Sequence, residues 1–382
     1  GERRNNPGFE SIEMQLHTLI FRKTIPPGAR IRVLVVDDSV VIRRLVAHAL
    51  SEDPAVEVVG AASNGAIALE RIAQLNPDVI TLDIEMPEMN GLDVLRRLRD
   101  QQVRPRVVMF STLTDRGAAL TLESLALGAD DYVTKAANVG SLDRSMASLR
   151  GELVPKIKQF FLLPRTATVT GLPALALKPS GIVPAPFLRG RQPRVLAIGV
   201  STGGPTALGV IIPQFPANFP LPILIVQHMP PLFTRFLAER LQSGTELRVE
   251  EAADGAPVVA GKVLIAPGDY HMRVRNHGAE TVVRLDQSPP ENSCRPSVDV
   301  LFRSVGEVYG GASISAILTG MGQDGLRGAE VLKANGAYVI AQDEATSVVW
   351  GMPGAVAGAG LANCVIPLGA VVPEVLRQTG KG

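Results

Sequence analysis

Cysteine is scarce in this chain: its 382 residues include two, Cys294 and Cys364. Two thiols make neither a disulfide framework nor a four-cysteine zinc site, and neither lies in a C-x-x-C. Both read as small buried hydrophobes. A surplus of either charge is also missing. Lys+Arg 38 against Asp+Glu 37 leaves net +1, so bulk electrostatics give no case for nucleic acid or an anionic membrane. Residues 195–234 and 345–373 carry no Asp, Glu, Lys or Arg. Prolines, glycines and amide side chains interrupt both stretches, which therefore read as core with loops rather than inserted spans. Behind Gly1-Glu-Arg-Arg-Asn-Asn there is no apolar h-region, so no signal peptide is expected. Composition and length point to a soluble, cytoplasmic protein of two or three domains.

The stretch with most chemical content is Val195-Leu-Ala-Ile-Gly-Val-Ser201-Thr-Gly-Gly-Pro205. An apolar run of strand length ends in a serine among glycines, and Pro205 suits the first turn of a following helix. Such a strand–turn–helix puts a hydroxyl at the edge of a sheet, where turn N–H groups and a helix N-terminus stabilise an oxyanion. Gly199-Val-Ser201-Thr-Gly203 fits the G-x-S-x-G elbow, although such turns also cradle phosphates or are plain tight turns.

The first 150 residues alternate short apolar runs with helical patterns. Strands are predicted at Ile31–Val36, Val56–Ala61, Val79–Asp83, Arg106–Ser111 and Asp131–Val133, with helices near 40–51, 65–75, 91–100, 116–127 and 140–150. Five βα units make a doubly wound parallel sheet whose site lies at the carboxyl ends of the strands. Asp37, Asp38, Asp83, Ser111 and Lys135 all fall there. Converging carboxylates repel unless a hard cation such as Mg²⁺ holds them, and a lysine and a hydroxyl opposite suit a phosphoryl group. The bland alternative is surface acids and caps, with Asp38 as the N-cap of the first helix.

Val35-Val-Asp-Asp38-Ser, Leu82-Asp83-Ile-Glu-Met-Pro87, Met89-Asn-Gly91-Leu, Ser111-Thr112 and Val133-Thr-Lys135 resemble the flavodoxin-like (βα)5 receiver domain of response regulators. The resemblance implies phosphorylation of Asp83 by a histidine kinase and Mg²⁺ held by Asp37, Asp38 and Asp83. It further implies that Lys135 contacts the phosphoryl group, with Ser111 the switch hydroxyl and Tyr132 the switch aromatic. Ala136 stands where that family usually has proline.

Residues 154–194 carry seven prolines and seven Lys or Arg, with no acid, which reads as an extended tether. Its apolar pieces, such as Phe160-Phe-Leu-Leu163, hint at docking on a domain surface. Expected boundaries are an extension over 1–29, a domain over 30–150, a linker over 151–193 and a second α/β domain over 194–382. In that last domain strands are predicted at Val195–Gly199, Ile223–Gln227, Leu247–Glu251, Val263–Ala266, Thr281–Asp286, Ser313–Leu318 and Ala337–Ala341. Helices are predicted near 205–212, 231–242, 297–309, 325–335 and 353–358.

A nucleophilic serine needs a base, and the base an orienting acid. His228 ends the apolar strand one βα unit after Ser201, whereas His271 and His277 read as surface hairpin residues. No Asp or Glu occurs from Leu153 to Ala238, so the acid comes from later in the chain. Asp324, in the Gly-rich turn of Leu318-Thr-Gly-Met-Gly-Gln-Asp-Gly325, is the best candidate and Asp343 its rival. Asp324 also reads as an N-cap, and Asp254 and Asp299 as turn and helix-face residues. The order Ser201, His228, Asp324 differs from the Ser–acid–His order of α/β-hydrolases. A phosphate loop at Ser201-Thr-Gly-Gly204 lacks a Walker lysine. A DNA-binding output domain is disfavoured by the near-neutral charge, and a pure adaptor by the intact Ser201, His228 and Asp324.

Gly199-Val-Ser-Thr-Gly-Gly-Pro205, Val226-Gln-His-Met-Pro230, Leu318-Thr-Gly-Met-Gly-Gln-Asp-Gly325 and Trp350-Gly-Met-Pro353 resemble the CheB family of chemotaxis response regulator protein-glutamate methylesterases. The resemblance spans roughly 30–370. It implies a doubly wound methylesterase domain with Ser201 as nucleophile, His228 as base and Asp324 as orienting acid. Met321 N–H would serve the oxyanion hole, with Thr202 in support and no cofactor for hydrolysis. It also implies demethylation and deamidation of chemoreceptor cytoplasmic helices. The kinase CheA would be the phosphodonor, and the receiver would gate the site. No nucleic-acid partner and no membrane insertion are implied.

Overall fold

The computed structural model describes residues 23–99, 101, 104–135, 142–162 and 192–380. Most of the N-terminal extension, the start of the helix expected at 140, Ala136 and most of the tether lie outside the described residues. The described residues form two compact units, one drawn from 23–162 and the other chiefly from 192–380.

The first unit runs β1 (Lys23–Thr24), β2 (Ile31–Val36), α1 (Val40–Ser51), β3 (Val56–Ala62), α2 (Gly65–Leu75), β4 (Val79–Asp83), α3 (Gly91–Arg99), β5 (Arg106–Ser111), α4 (Asp115–Ala126), β6 (Asp131–Thr134), α5 (Leu142–Lys158) and β7 (Phe161–Leu162). Its five-stranded sheet has order β3-β2-β4-β5-β6, parallel throughout. The central strand Val-Ile-Thr-Leu-Asp83 is buried at every position, as a strand covered on both faces requires. Helix starts are capped locally: Ser39, Asn64 and Thr114 accept from the N–H three residues on, which satisfies otherwise orphaned donors. Asp38 is therefore no cap, and that duty falls to Ser39. The helix expected to end near 150 continues through Lys158 despite Pro155. Beyond it, Phe160 and Phe161 are buried and β7 pairs parallel with β1. The first residues of the expected linker thus belong to this unit's own packing, with the Arg106 guanidinium 5.6 Å from the Phe160 ring.

The second unit runs β8 (Val195–Val200), α6 (Gly204–Ile211), β9 (Ile223–Gln227), α7 (Phe233–Gln242), β10 (Arg248–Glu251), β11 (Lys262–Ile265), β12 (His271–His277), β13 (Glu280–Asp286), α8 (Val298–Tyr309), β14 (Ser313–Ile317), α9 (Leu326–Ala334), β15 (Tyr338–Gln342), α10 (Met352–Gly358), β16 (Cys364–Ile366) and α11 (Val371–Gln378). A seven-stranded parallel sheet of order β10-β11-β9-β8-β14-β15-β16 forms its centre, beside the antiparallel hairpin β12–β13. The sheet order reverses at β8, between β9 and β14, and such a switch point opens a crevice at the carboxyl edge. The edge strand β16 and helix α11 were not foreseen. Cys364-Val-Ile366 is only three residues long and half-buried, too short for a periodicity signal. No described helix is long and apolar enough to cross a membrane.

Candidate active site

Ser201 follows β8 directly. Gly203, with φ +77°, turns the chain into α6, a left-handed conformation that glycine adopts without strain. Its missing Cβ also leaves room for Val348, which a side chain there would meet at 2.6 Å. The turn is tied down from three sides. Ser201 N donates to Thr319 O at 3.0 Å and Gly204 N to Ser201 O at 2.8 Å. The buried amide of Gln227 donates Nε2–H to Ser201 O at 2.9 Å and to His228 O at 3.3 Å. One side chain therefore holds the two neighbouring strand ends together. Thr202 is buried behind the serine, with its carbonyl accepting from Thr319 Oγ1 at 2.9 Å.

His228 follows β9, and its Nε2 lies 2.8 Å from Asp324 Oδ2. Asp324 comes from the loop after β14, but its partners come from the start of α8. Oδ2 accepts from Val298 N at 2.7 Å, and Oδ1 from Asp299 N at 3.1 Å and Ser297 Oγ at 2.8 Å. A buried carboxylate at a helix N-terminus is held by N–H groups and the dipole together. Asp324 is not a cap of its own helix, where Gly325 holds the N-cap position without a side-chain bond. Burial alone would raise its pKa. The His228 hydrogen bond and charge, with the Val298 N–H and the Ser297 hydroxyl, outweigh burial and hold it well below the usual carboxylate range. The rival, Asp343, instead accepts from Thr346 N and Oγ1 and orders its own turn.

Two residues that sequence reasoning passed over complete this shell. Asn292, at φ +50°, donates Nδ2–H to Asp324 Oδ1 and to Asp299 Oδ2, each at 2.9 Å. Asp299 is a buried partner here rather than a helix-face residue. Its pKa is raised, first by burial and then, against the Gly328 N–H, by the Asp324 charge. Cys294 places Sγ 3.6 Å from His228 Nδ1. Neither cysteine is fully buried, contrary to expectation. No spacing pattern links either residue to Asp324; only the loop before α8 brings them there.

Burial alone would lower the His228 pKa, but the Asp324 hydrogen bond and the Cys294 contact raise it to about 10. With Nε2 committed to a carboxylate, that nitrogen keeps its hydrogen and Nδ1, which Cys294 Sγ approaches at 3.6 Å, is the atom left to accept a proton. Opposite lies the loop Gly320–Gly322. Gly320 O accepts from Gly351 N and Met352 N, and a Cβ at Gly351 would meet Gly320 O at 2.7 Å and Gly322 N at 2.8 Å. Glycine at 351 lets the two loops touch, leaving Met321 on the rim with a side chain 41% exposed. His271, expected on the surface, is wholly buried. Its Nδ1 accepts from Ser297 N at 3.2 Å and its Nε2 donates to Pro289 O at 3.1 Å, so it braces the loop that carries Asn292 and Cys294.

In the N-terminal unit Asp37 and Asp83 are buried and Asp38 exposed. Their carboxylate oxygens lie within 4.8 Å of one another. Lys135 Nζ sits 2.8 Å from Asp83 Oδ1 and 3.0 Å from Asp37 Oδ2. Burial raises the Asp83 pKa to about 6 even though Lys135 opposes it. Three hard oxygen donors with one ammonium for compensation fit a hydrated Mg²⁺. Ser111 ends the adjacent strand, but its hydroxyl turns inward, donating to Gly117 O at 3.2 Å and accepting from Thr121 Oγ1 at 2.5 Å. Tyr132 is buried, with Lys156 Nζ 4.9 Å from its ring centre.

Comparison with known proteins agrees with both units. Residues 196–375 match the family model for the CheB methylesterase and residues 33–147 that for the response regulator receiver domain. A Nocardioides protein named protein-glutamate methylesterase/protein-glutamine glutaminase is 52% identical over 360 residues, 93% of this chain and 96% of that protein. A Trichodesmium erythraeum protein of the same name is 47% identical over 355 residues, 92% of this chain and 99% of its own. The Thermotoga maritima CheB methylesterase catalytic domain is 45% identical, covering 48% of this chain and 98% of its own, with a TM-score of 0.48. With a receiver domain in front of an α/β hydrolase domain, the chain belongs to the CheB methylesterase family of chemotaxis enzymes.

Proposed function

We propose that the C-terminal unit hydrolyses γ-methyl esters of glutamate on the cytoplasmic helices of chemoreceptors, releasing methanol, and deamidates receptor glutamines at the same site. The observation that carries this reading is the 2.8 Å contact of His228 Nε2 with Asp324, on the strand end next to Ser201. Ser201 Oγ attacks the carbonyl carbon and passes its proton to His228 Nδ1. The tetrahedral oxyanion forms beside the Met321 N–H and the start of α6. Collapse expels methanol, or ammonia from an amide, protonated by the imidazolium that Asp324 stabilises. A water molecule then repeats the sequence on the acyl-serine. Thr202 and Gln227 hold the turn in register.

The N-terminal unit, in this reading, takes a phosphoryl group on Asp83 from the chemotaxis histidine kinase CheA. Asp37, Asp38 and Asp83 would hold Mg²⁺, which when bound neutralises charge on the transferring phosphoryl oxygens. Lys135 supplies the second positive charge. The inward-bonded Ser111 and the buried Tyr132 are the groups whose arrangement an added phosphoryl charge would bias, and through them the receiver gates the hydrolase.

The test is methanol release from a methyl-labelled chemoreceptor fragment, comparing wild type with Ser201→Ala, in Mg²⁺ with and without a small-molecule phosphodonor. Serine-dependent release that rises with the donor is expected. Release that survives Ser201→Ala rejects the nucleophile. Release indifferent to the donor, and to deletion of residues 1–162, which removes the whole unit through β7, rejects the gate.

A further inference from the structure

The contact between Cys294 and His228 tunes the imidazole, but no bond made or broken in the hydrolysis just described involves the thiol. Cys294 Sγ lies 3.6 Å from His228 Nδ1 and 3.4 Å from Asn292 O. A tetrahedral zinc ion holds imidazole nitrogen at about 2.05 Å and thiolate sulfur at about 2.3 Å, which separates the two donors by about 3.6 Å. The pair is thus already spaced as two ligands of one tetrahedral metal. The far side of the ring is also suited to that role, because Asp324 accepts from Nε2. A carboxylate behind a metal-bound histidine fixes the tautomer and strengthens the donor. Donor atoms of His228, Cys294 and Asp324 all fall within 4.8 Å of one another. The other triad of this kind, Asp37, Asp38 and Asp83, is all hard oxygen and selects a different class of ion.

We propose that His228 Nδ1 and Cys294 Sγ form a binding site for a thiophilic divalent cation of the Zn²⁺ class, and that occupancy switches hydrolysis off by occupying the nitrogen that takes the serine proton. The binding step is Cys294–SH with neutral His228 and M²⁺ giving a thiolate–metal–imidazole chelate and one released proton. Water fills the remaining positions. Nothing is oxidised or reduced, so the inhibition reverses on chelation and tightens as pH rises. The effect on hydrolysis rests on His228 as the base; the binding itself does not.

The full-length chain is titrated with Co²⁺ in excess Mg²⁺, and thiolate-to-cobalt charge transfer is read in the near ultraviolet. The band is expected in wild type and in Cys364→Ser, and lost in both Cys294→Ser and Cys294→Ala. In parallel, Zn²⁺ inhibition of methyl-ester hydrolysis is compared with each variant's own metal-free rate. Removing the sulfur ligand should raise the half-inhibiting concentration by about tenfold or more, and EDTA should restore the wild-type rate. A band that is absent from wild type, or that survives at Cys294→Ser, overturns the site. A Cys294-dependent band with undiminished hydrolysis overturns the switch. A chain that forms the band but hydrolyses no receptor ester supports the site while rejecting the proposed function, so the two failures are distinguishable.

Discussion

Asp324 takes the Nε2 side of His228 at 2.8 Å, which leaves Nδ1, with Cys294 Sγ 3.6 Å away, as the nitrogen not held by the carboxylate. The acid is held in turn by Val298 N, Asp299 N and Ser297 Oγ at the start of α8. A carboxylate with this many donors stays ionised, and the imidazole it faces is kept in one tautomer.

The first consequence concerns the three residues in line. Ser201→Ala is expected to lower kcat by about 10⁴-fold or more, and Asp324→Asn by a comparable factor, because an amide at 324 favours the wrong tautomer. Methanol release with circular dichroism as a folding control checks both. A loss below about tenfold at either position would remove that residue from the mechanism.

The pH profile follows from the His228 environment. Burial pulls its pKa down, but Asp324 and Cys294 more than offset this and place it above the ordinary 6.5. In the proposed mechanism the base works as neutral imidazole, so a raised pKa moves the acid limb of kcat/KM upward. Hydrolysis should therefore still be climbing above 6.5, and Cys294→Ala should shift the limb toward lower pH. A wild-type limb at or below 6.5 would contradict this account of the site.

Asn292 donates to two carboxylates, Asp324 and Asp299, and is expected to position the first of them. Asn292→Ala leaves a charge-assisted bond unmade, worth about 1.5 kcal/mol or about tenfold in rate if passed on to the imidazole. The expected signature is a fall in kcat with KM nearly unchanged. A change confined to thermal stability would assign Asn292 a structural role only.

In the proposed receiver site, a proton and a bound cation would compete for Asp83. Its pKa is raised to about 6 by burial, so the carboxylate is charged above that pH and progressively neutral below it. Mg²⁺ affinity measured by calorimetry should be about tenfold weaker at about pH 5 than at about pH 8. Asp83→Asn should abolish acid-labile phosphoryl incorporation and any response to a phosphodonor while leaving basal ester hydrolysis. Incorporation that persists in Asp83→Asn would place the phosphoryl group elsewhere.

Sequence alone determined the parts of this protein that are local. Strand-length apolar runs alternating with helical periods, each ending in a chemically distinctive residue, were sufficient to place Ser201, His228, Asp37, Asp83 and Lys135 at strand ends. A parallel sheet collects its strand ends on one edge, so linear order translates directly into neighbourhood. The tertiary structure decided whatever depends on elements distant in sequence. Asp324 sits at the N-terminus of α8, some two dozen residues upstream, rather than at that of the helix it precedes. Asn292 reaches Asp324, and Cys294 the imidazole, on a loop braced by the buried His271. The same packing gave Nε2 to the carboxylate and left Nδ1 to the thiol side. None of these leaves a period or a spacing in the chain, because each comes from how α8 and its preceding loop pack against the sheet edge.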